Sequence, residues 1–298
     1  MTGINFSSKF KYANIISLIL FLSSAIFILF KGLNYGIDFK GGTLIELRSS
    51  NIEASSIRDV LKNMNLGDIN VKKFGQEGDY LIKVEQTGDN NKLIPEIKKN
   101  LSDQLTSEIN FRRVENVGPK VSAELLQSGI IAISLSLAAM LFYIWVRFEW
   151  QFSIGAIIAL FHDVIITLGI FSILSLEINL SIIAAVLTIV GYSMNDTVVI
   201  YDRIRENLGK YHRLNISDIA NLSINETLAR TIITSVTTLL ALLSIFVLGG
   251  EILRGFSFAM ILGVLIGTYS SIFVASPILK TFKVSYKTLE KEEEKIVP

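Results

Sequence analysis

Read for its alternation of apolar and polar residues, the chain divides into long uncharged runs and one extended polar stretch. Runs without a charge cover Ala13 to Phe30, Leu125 to Val146, Ile178 to Asn195, Thr231 to Gly250 and Gly255 to Leu279. A sixth, Trp150 to Leu176, is interrupted only by His162 and Asp163. Each approaches or exceeds the ~18 to 20 residues that a helix rising ~1.5 Å per residue needs to cross a hydrocarbon layer. Isolated strands cannot cross, because their backbone groups go unpaired in lipid. The pattern predicts six transmembrane helices: span one at 13–30, span two at 125–146, span three at 150–176, span four at 178–201, span five at 230–250 and span six at 255–279. The first run is too long for the apolar region of a signal peptide. It is followed by Phe30-Lys31-Gly32 rather than a small-x-small cleavage site, so it is expected to stay in place as an anchor.

Between spans one and two, residues 31–124 change their period. Strands are predicted at Thr43 to Arg48, Asn70 to Phe74, Tyr80 to Gln86 and Glu108 to Glu115, and helices at Glu53 to Met64 and Asn91 to Leu105. The turn residues Gly67-Asp68, Gly75 to Asp79 and Gly88-Asp89 fall between these elements. The order βαββαβ predicts a ferredoxin-like α+β domain. Residues 202–229 read as a polar, helical connection, residues 1–12 as a short polar N-terminus and residues 280–298 as a solvated tail of mixed charge. The fold class expected is an α-helical polytopic membrane protein with one α+β domain between its first two spans.

Composition agrees: half of the 298 residues are hydrophobic, 18 % are charged and the mean hydropathy is +0.50, far from the balance of a soluble domain. Positive charge decides the orientation. Lys9, Lys11, Arg147, Arg203, Arg205, Lys210, Arg213 and Arg230 fall on one side with the tail lysines 280, 283, 287, 291 and 295, whereas the short loops of the other side carry only Arg254. Both termini are thus expected in the cytoplasm and residues 31–124 outside it. The net charge of +1 forms no stripe suited to nucleic acid. The lack of cysteine excludes disulfides, thiolate metal sites and cysteine nucleophiles. Gly36, Gly41 and Gly42 are followed by no Gly-Lys-Ser/Thr, so no nucleotide loop is expected, and no cofactor or metal site is predicted.

Three charged residues inside or at the edge of spans are the candidate chemistry: Asp163, Asp196 and Arg230. An ionisable group in hydrocarbon costs about 2.5 to 3.5 kcal/mol on insertion scales, so such groups face a bundle interior or a wet cavity. In span five, Arg230, Thr234, Thr237, Ala241 and Ser244 form a small, polar stripe; in span four Ala184, Thr188, Gly191 and Asn195 form another, with Asp196 one position round. The two stripes are expected to pack together. That would bring Asp196 towards Arg230, and a contact made and broken there would bind and release a proton. The alternative is that Asp196 and Arg230 are interfacial charges reaching to headgroups. Asp163, beside His162, reads equally as a second relay group or as a satisfied interior pair. Gly263 and Gly267 of span six offer a close-packing face, within the chain or towards a partner. Ser193 in Gly191-Tyr192-Ser193 reads as packing rather than as a nucleophile.

The chain resembles the SecF family, the smaller membrane subunits of the bacterial SecD–SecF protein-export complex, which is related to the RND superfamily of proton-driven exporters. The resemblance rests on Tyr35-Gly36-Ile37-Asp38-Phe39-Lys40-Gly41-Gly42, Glu115-Asn116-Val117-Gly118-Pro119, Phe161-His162-Asp163-Val164, and Gly191-Tyr192-Ser193-Met194-Asn195-Asp196-Thr197-Val198-Val199 with Asp202-Arg203-Ile204-Arg205-Glu206. It spans essentially the whole chain. It implies a non-enzymatic subunit without its own nucleotide site, in the bacterial inner membrane, coupled to the proton motive force. The implied partners are SecD, the SecYEG channel, YajC and SecA in the wider complex, the lipid bilayer, and an unfolded secretory polypeptide as substrate. The resemblance also implies that Asp196 and Arg230, with Asn195 and Asp163 as further candidates, conduct protons, while Asp38, Gly41 and Gly42 form a coupling turn after span one. Half of an RND-type small-molecule exporter and a passive translocase scaffold are the rival readings.

Overall fold

The computed structural model describes residues 3–49, 52–64, 66–73, 77–84, 90–105 and 108–288. A 3-10 turn, Ser7–Lys9, opens into helix α1, Phe10–Lys31. After it come strand β1 (Asn34–Tyr35), the one-turn helix α2 (Ile37–Lys40), β2 (Gly42–Arg48), α3 (Ala54–Lys62), β3 (Ile69–Lys73), β4 (Asp79–Val84), α4 (Asn90–Gln104) and β5 (Asn110–Val117). The rest is helical save for β6: α5 (Pro119–Arg147), α6 (Trp150–Ile173), β6 (Glu177–Ile178), α7 (Leu180–Lys210), α8 (Ile216–Leu248) and α9 (Gly250–Ser270). A single π-turn, Ser271–Ala275, then joins α9 to α10, Ser276–Thr281. Among the described residues, six helices are long and apolar enough to cross a membrane, in agreement with the six uncharged runs.

The helices outrun those runs because a charge ends a hydrophobic stretch without ending a helix. α7 carries straight on through Asp202 to Lys210 and α8 starts at Ile216, so only residues 211–215 of the polar connection are non-helical. Asn215 starts α8 as its N-cap, its side chain accepting from the Asp218 N–H at 3.0 Å. The charged extension is held by ion pairs: Arg203 reaches Glu206 and Glu226, each at 2.6 Å, Arg147 reaches Asp202 at 2.6 Å and Arg205 reaches Glu149 at 3.0 Å.

Two compact units emerge. In the first, the helical bundle, α6, α7 and the last span have half or more of their apolar windows buried, against less than a fifth for α1, α5 and α8. Glycines set the close approaches. A Cβ at Gly169 would lie 2.7 Å from Ser24 Cα, one at Gly155 would strike the Tyr201 hydroxyl and one at Gly263 would strike Ile189. Gly263 and Gly267 therefore face α7 of the same chain.

The second unit holds a four-stranded sheet in the order β3-β4-β2-β5. The central strand β2 runs antiparallel to both neighbours, with Ile45 opposite Ile82 and Val114, and a bulge between Glu46 and Leu47 on the β5 side. One face carries the core: Ile45, Leu47 and Ile82 pack with Ile57 and Leu61 of α3 and Ile97 and Leu101 of α4, all fully buried. The element order is the βαββαβ that the sequence predicts. Phe74, Glu85 and Gln86 of the expected strands, the turn residues Gly75, Gln76, Gly88 and Asp89, and residues 289–298 of the expected tail lie outside the described residues.

Candidate functional site

Asp196 lies on α7, sixteen residues after its start at Leu180, with only 3 % of its surface exposed. A carboxylate so deep in an apolar helix must find a donor or pay its desolvation in full. Among the described residues its hydrogen-bond donor is the Thr268 hydroxyl of α9, at 3.5 Å. Thr268 in turn shares a hydrogen bond of 2.7 Å with Ser235 of α8. Three helices thus meet in a short polar chain, Ser235–Thr268–Asp196.

A second polar cluster lies beside it. Asp163 of α6 is fully buried and its carboxylate takes three partners. Oδ2 accepts the Ser193 hydroxyl of α7 at 2.5 Å and the Ser270 hydroxyl of α9 at 2.7 Å, and Oδ1 lies 2.8 Å from His162 Nδ1. Ser193 stands three residues before Asp196, and Ser270 two after Thr268, so the same two helices feed both clusters. His162 is itself buried, and its Nε2 has no partner among the described residues. Tyr201, on the next turns of α7, donates its buried hydroxyl to the Ala275 carbonyl in the π-turn at 2.9 Å.

The structure departs from the expected pairing of stripes. Ala184, Thr188, Gly191 and Asn195 are exposed on α7, and Arg230, Thr237, Ala241 and Ser244 are exposed on α8, with Thr234 half-buried. The stripes do not pack on one another. The buried faces are instead Val186, Ser193 and Asp196 on α7 and Thr231, Ser235 and Leu242 on α8. A polar stripe need not be an internal seam, because hydroxyls can bond back into their own helix: Thr188 donates to the Ala184 carbonyl, Thr237 to that of Ile233 and Ser244 to that of Leu240. Arg230 forms no ion pair with Asp196, although its charge acts on that carboxylate, and it stands exposed midway along α8. Thr268, Ser235 and Ser270 were not singled out from the sequence. The readable trace is Gly267-Thr268-Tyr269-Ser270-Ser271, a polar cluster inside an uncharged run.

The turn after span one is built as follows. Gly41 and Gly42 take φ of +80° and +129°, and a Cβ on Gly42 would sit 2.7 Å from the Val84 carbonyl oxygen, so only glycine fits there. Asp38, in α2, accepts the Leu180 N–H at 2.9 Å, capping the first residue of α7.

Comparison with known proteins gives consistent matches. Residues 97–285 match the family model of protein export membrane protein SecD/SecF, C-terminal, and residues 26–51 match the SecD/SecF GG motif. The protein translocase subunit SecF of Rickettsia bellii (strain OSU 85-389) is 50 % identical over 269 residues, 89 % of each chain. That of Rickettsia rickettsii (strain Sheila Smith) is 48 % identical over 281 residues, 92 % of this chain and 91 % of its own. Among solved structures, SecDF, a translocon-associated membrane protein from Thermus thermophilus, superposes with a TM-score of 0.85 at 37 % identity over 94 % of this chain. SecDF in a super-membrane-facing form superposes with a TM-score of 0.71 at 36 % identity over 99 %. This chain spans about two fifths of the length of those solved chains, 39 % and 40 %.

Proposed function

Because the chain belongs to the SecD/SecF family of protein-export membrane proteins, we propose that it works as a SecF-type translocase subunit that couples the proton motive force to the movement and release of secreted polypeptides. The observation that carries this reading is Asp196: a carboxylate buried at 3 % exposure in a membrane helix, held by one hydroxyl at 3.5 Å. A carboxylate in that position is stable when it is protonated or when a cation approaches. Arg230 on the next helix is the cation this chain supplies, and alternation between contact and separation takes up a proton on one side and releases it on the other. A proton crossing the membrane delivers ~2.3 kcal/mol per 100 mV, the size of gap that separates two conformers of a protein.

The exposed stripes of α7 and α8 support a partner with spans of its own. SecD, joined to SecF in the matched SecDF structures, is the partner proposed, and its helices would cover Asn195 and Arg230. The lysine and arginine bias supports an orientation in the bacterial inner membrane with both termini in the cytoplasm and the sheet unit outside. There the sheet unit would engage a polypeptide emerging from SecYEG, with YajC and SecA in the wider assembly.

The test uses the complex with SecD in sealed vesicles, after the ATP-driven phase of translocation is exhausted. Asp196→Asn, which cannot carry a proton, is expected to abolish the remaining gradient-dependent export while the complex still assembles. Undiminished export by that variant would refute the coupling and leave a passive scaffold.

A further inference from the structure

Asp163 is fully buried with three side-chain partners, and the proton transfer proposed at Asp196 does not use it. Its three partners come from two other elements and its own neighbour: Ser193 on α7, Ser270 on α9 and His162 on α6. The placement of the two serines matters. On α7, Ser193 and Asp196 are one turn apart, so whatever fixes the rotation of Ser193 fixes that of Asp196. On α9, Ser270 and Thr268 are two residues apart, and Ser270 is the last residue before the π-turn. At its last residue the turn is held from another helix, by the Tyr201 hydroxyl of α7 on the Ala275 carbonyl at 2.9 Å. The π-turn is therefore pinned at both ends.

A π-turn is one residue more than an α-helix needs for the same rise, and such turns recur at functional sites. Rewinding it rotates one side of the helix against the other by about 100°, the angle of a single residue at 3.6 per turn. With the C-terminal side held by Tyr201, the side that turns is the one bearing Thr268 and Ser270. Such a rotation removes Thr268 from Asp196, and it cannot occur while Asp163 grips Ser270.

We propose that Asp163 is the positioning residue of the proton site: its carboxylate clamps Ser193 and Ser270, sets the register that brings Thr268 to Asp196, and holds the π-turn of the last span against rewinding. The inference rests on the reading of Asp196 given above, but its own claim concerns the register of α7 and α9. A clamp needs an acceptor and not a proton carrier. In Asp163→Asn the amide oxygen can take the place of Oδ2 under both serines, while the amide NH2 donates to His162 Nδ1, whose proton moves to Nε2. Asp163→Leu offers the serines nothing, and Ser270→Ala removes one arm alone.

The test uses the full chain in complex with a cysteine-free partner, since this chain contains no cysteine. The pair Ile189→Cys/Gly263→Cys reports the register, because a Cβ at Gly263 points at Ile189. Disulfide formation is expected to slow by roughly tenfold or more in Asp163→Leu and Ser270→Ala, in keeping with the loss of a hydrogen bond to a carboxylate. In Asp163→Asn it is expected to stay within about twofold of the parent. The pH profile of gradient-driven export is expected to shift in Asp163→Leu and Ser270→Ala and to keep its midpoint in Asp163→Asn. Disulfide rates unchanged in Asp163→Leu and in Ser270→Ala would overturn the clamp. Export abolished in Asp163→Asn with the disulfide rate preserved would overturn it too, by making Asp163 a proton carrier. Normal export by Asp196→Asn would remove the proton reading, and the disulfide rates would still decide the clamp.

Discussion

Replacing Gly263 by alanine adds one methyl group at the seam between α7 and α9, and the geometry sets its effect. The new Cβ would stand 2.3 Å from Ile189 Cγ1, 2.6 Å from Cδ1 and 3.0 Å from Cγ2. Carbon atoms settle at about 3.5 to 4.0 Å, so the closest contact is short by more than about 1 Å. Ile189 cannot simply swing aside, because a β-branched side chain in a helix has essentially one χ1 rotamer. On an exposed helix the substitution would gain about 1 kcal/mol of propensity, whereas overpacking a core costs about 1 to 3 kcal/mol. The clash wins, leaving Gly263→Ala up to about 2 kcal/mol less stable. Ile189→Ala alone opens a cavity worth about 2 to 5 kcal/mol. In the double variant the methyl of residue 263 enters the space that the isoleucine vacates, so the two losses fall short of additivity by about 1 kcal/mol or more. Denaturant unfolding of the four proteins in one detergent measures the cycle. A stabilised Gly263→Ala, or two effects that simply add, would refute the packing of α9 on α7.

Two further outcomes follow from single hydrogen bonds. Tyr201→Phe leaves the Ala275 carbonyl of the π-turn without its buried donor, and is expected to cost about 1 to 3 kcal/mol in the same unfolding assay; a neutral result would mean that the turn holds itself. Asp38→Ala removes the acceptor of the Leu180 N–H, at about 1 kcal/mol for a helix cap. The first amides of α7 are then expected to exchange with deuterium roughly fivefold faster, and unchanged exchange would show that Asp38 is no cap.

Most of the architecture was legible because lipid allows few solutions. A run without charge long enough to span must be a helix, and six such runs gave six helices. The sheet unit was legible for a similar reason: alternation in Thr43 to Arg48 and the 3.6-residue period in Glu53 to Met64 put Ile45, Leu47, Ile57 and Leu61 on facing sides, and all four are buried. What the sequence did not disclose was which polar face of a helix looks inward. On α8 the stripe through Arg230 and Thr237 and the face through Thr231 and Ser235 both read as small and polar, and only packing separates them. Arg230 and Asp196 do interact through their charges, but not through the stripes on which the sequence argument rested, since small residues in adjacent spans need not meet each other. The second carboxylate's partners were hidden differently: Ser193 and Ser270 are ordinary helix serines by composition, and their meaning lies in converging on Asp163 from two helices. The π-turn leaves no mark at all in Ser271-Ile272-Phe273-Val274-Ala275, since one added residue per turn is a tertiary compromise.

The two buried carboxylates differ in a way that decides their parts. Asp163 is held by three partners from α6, α7 and α9, so it cannot move without breaking all of them together. Among the described residues Asp196 has one hydrogen bond, a long one, and the residue that makes it is itself shared with Ser235. A group that exchanges partners in a cycle needs weak bonds, since each bond it keeps in one state must be broken to reach the other. A fixed point needs the reverse. Had the assignment been the other way round, a loosely held hub would let α7 and α9 drift, and a proton carrier gripped by three donors would have no second state to visit. Under the proposed function, the arrangement of bonds suits Asp196 to exchange and Asp163 to leverage, with the π-turn of the last span as the joint between them.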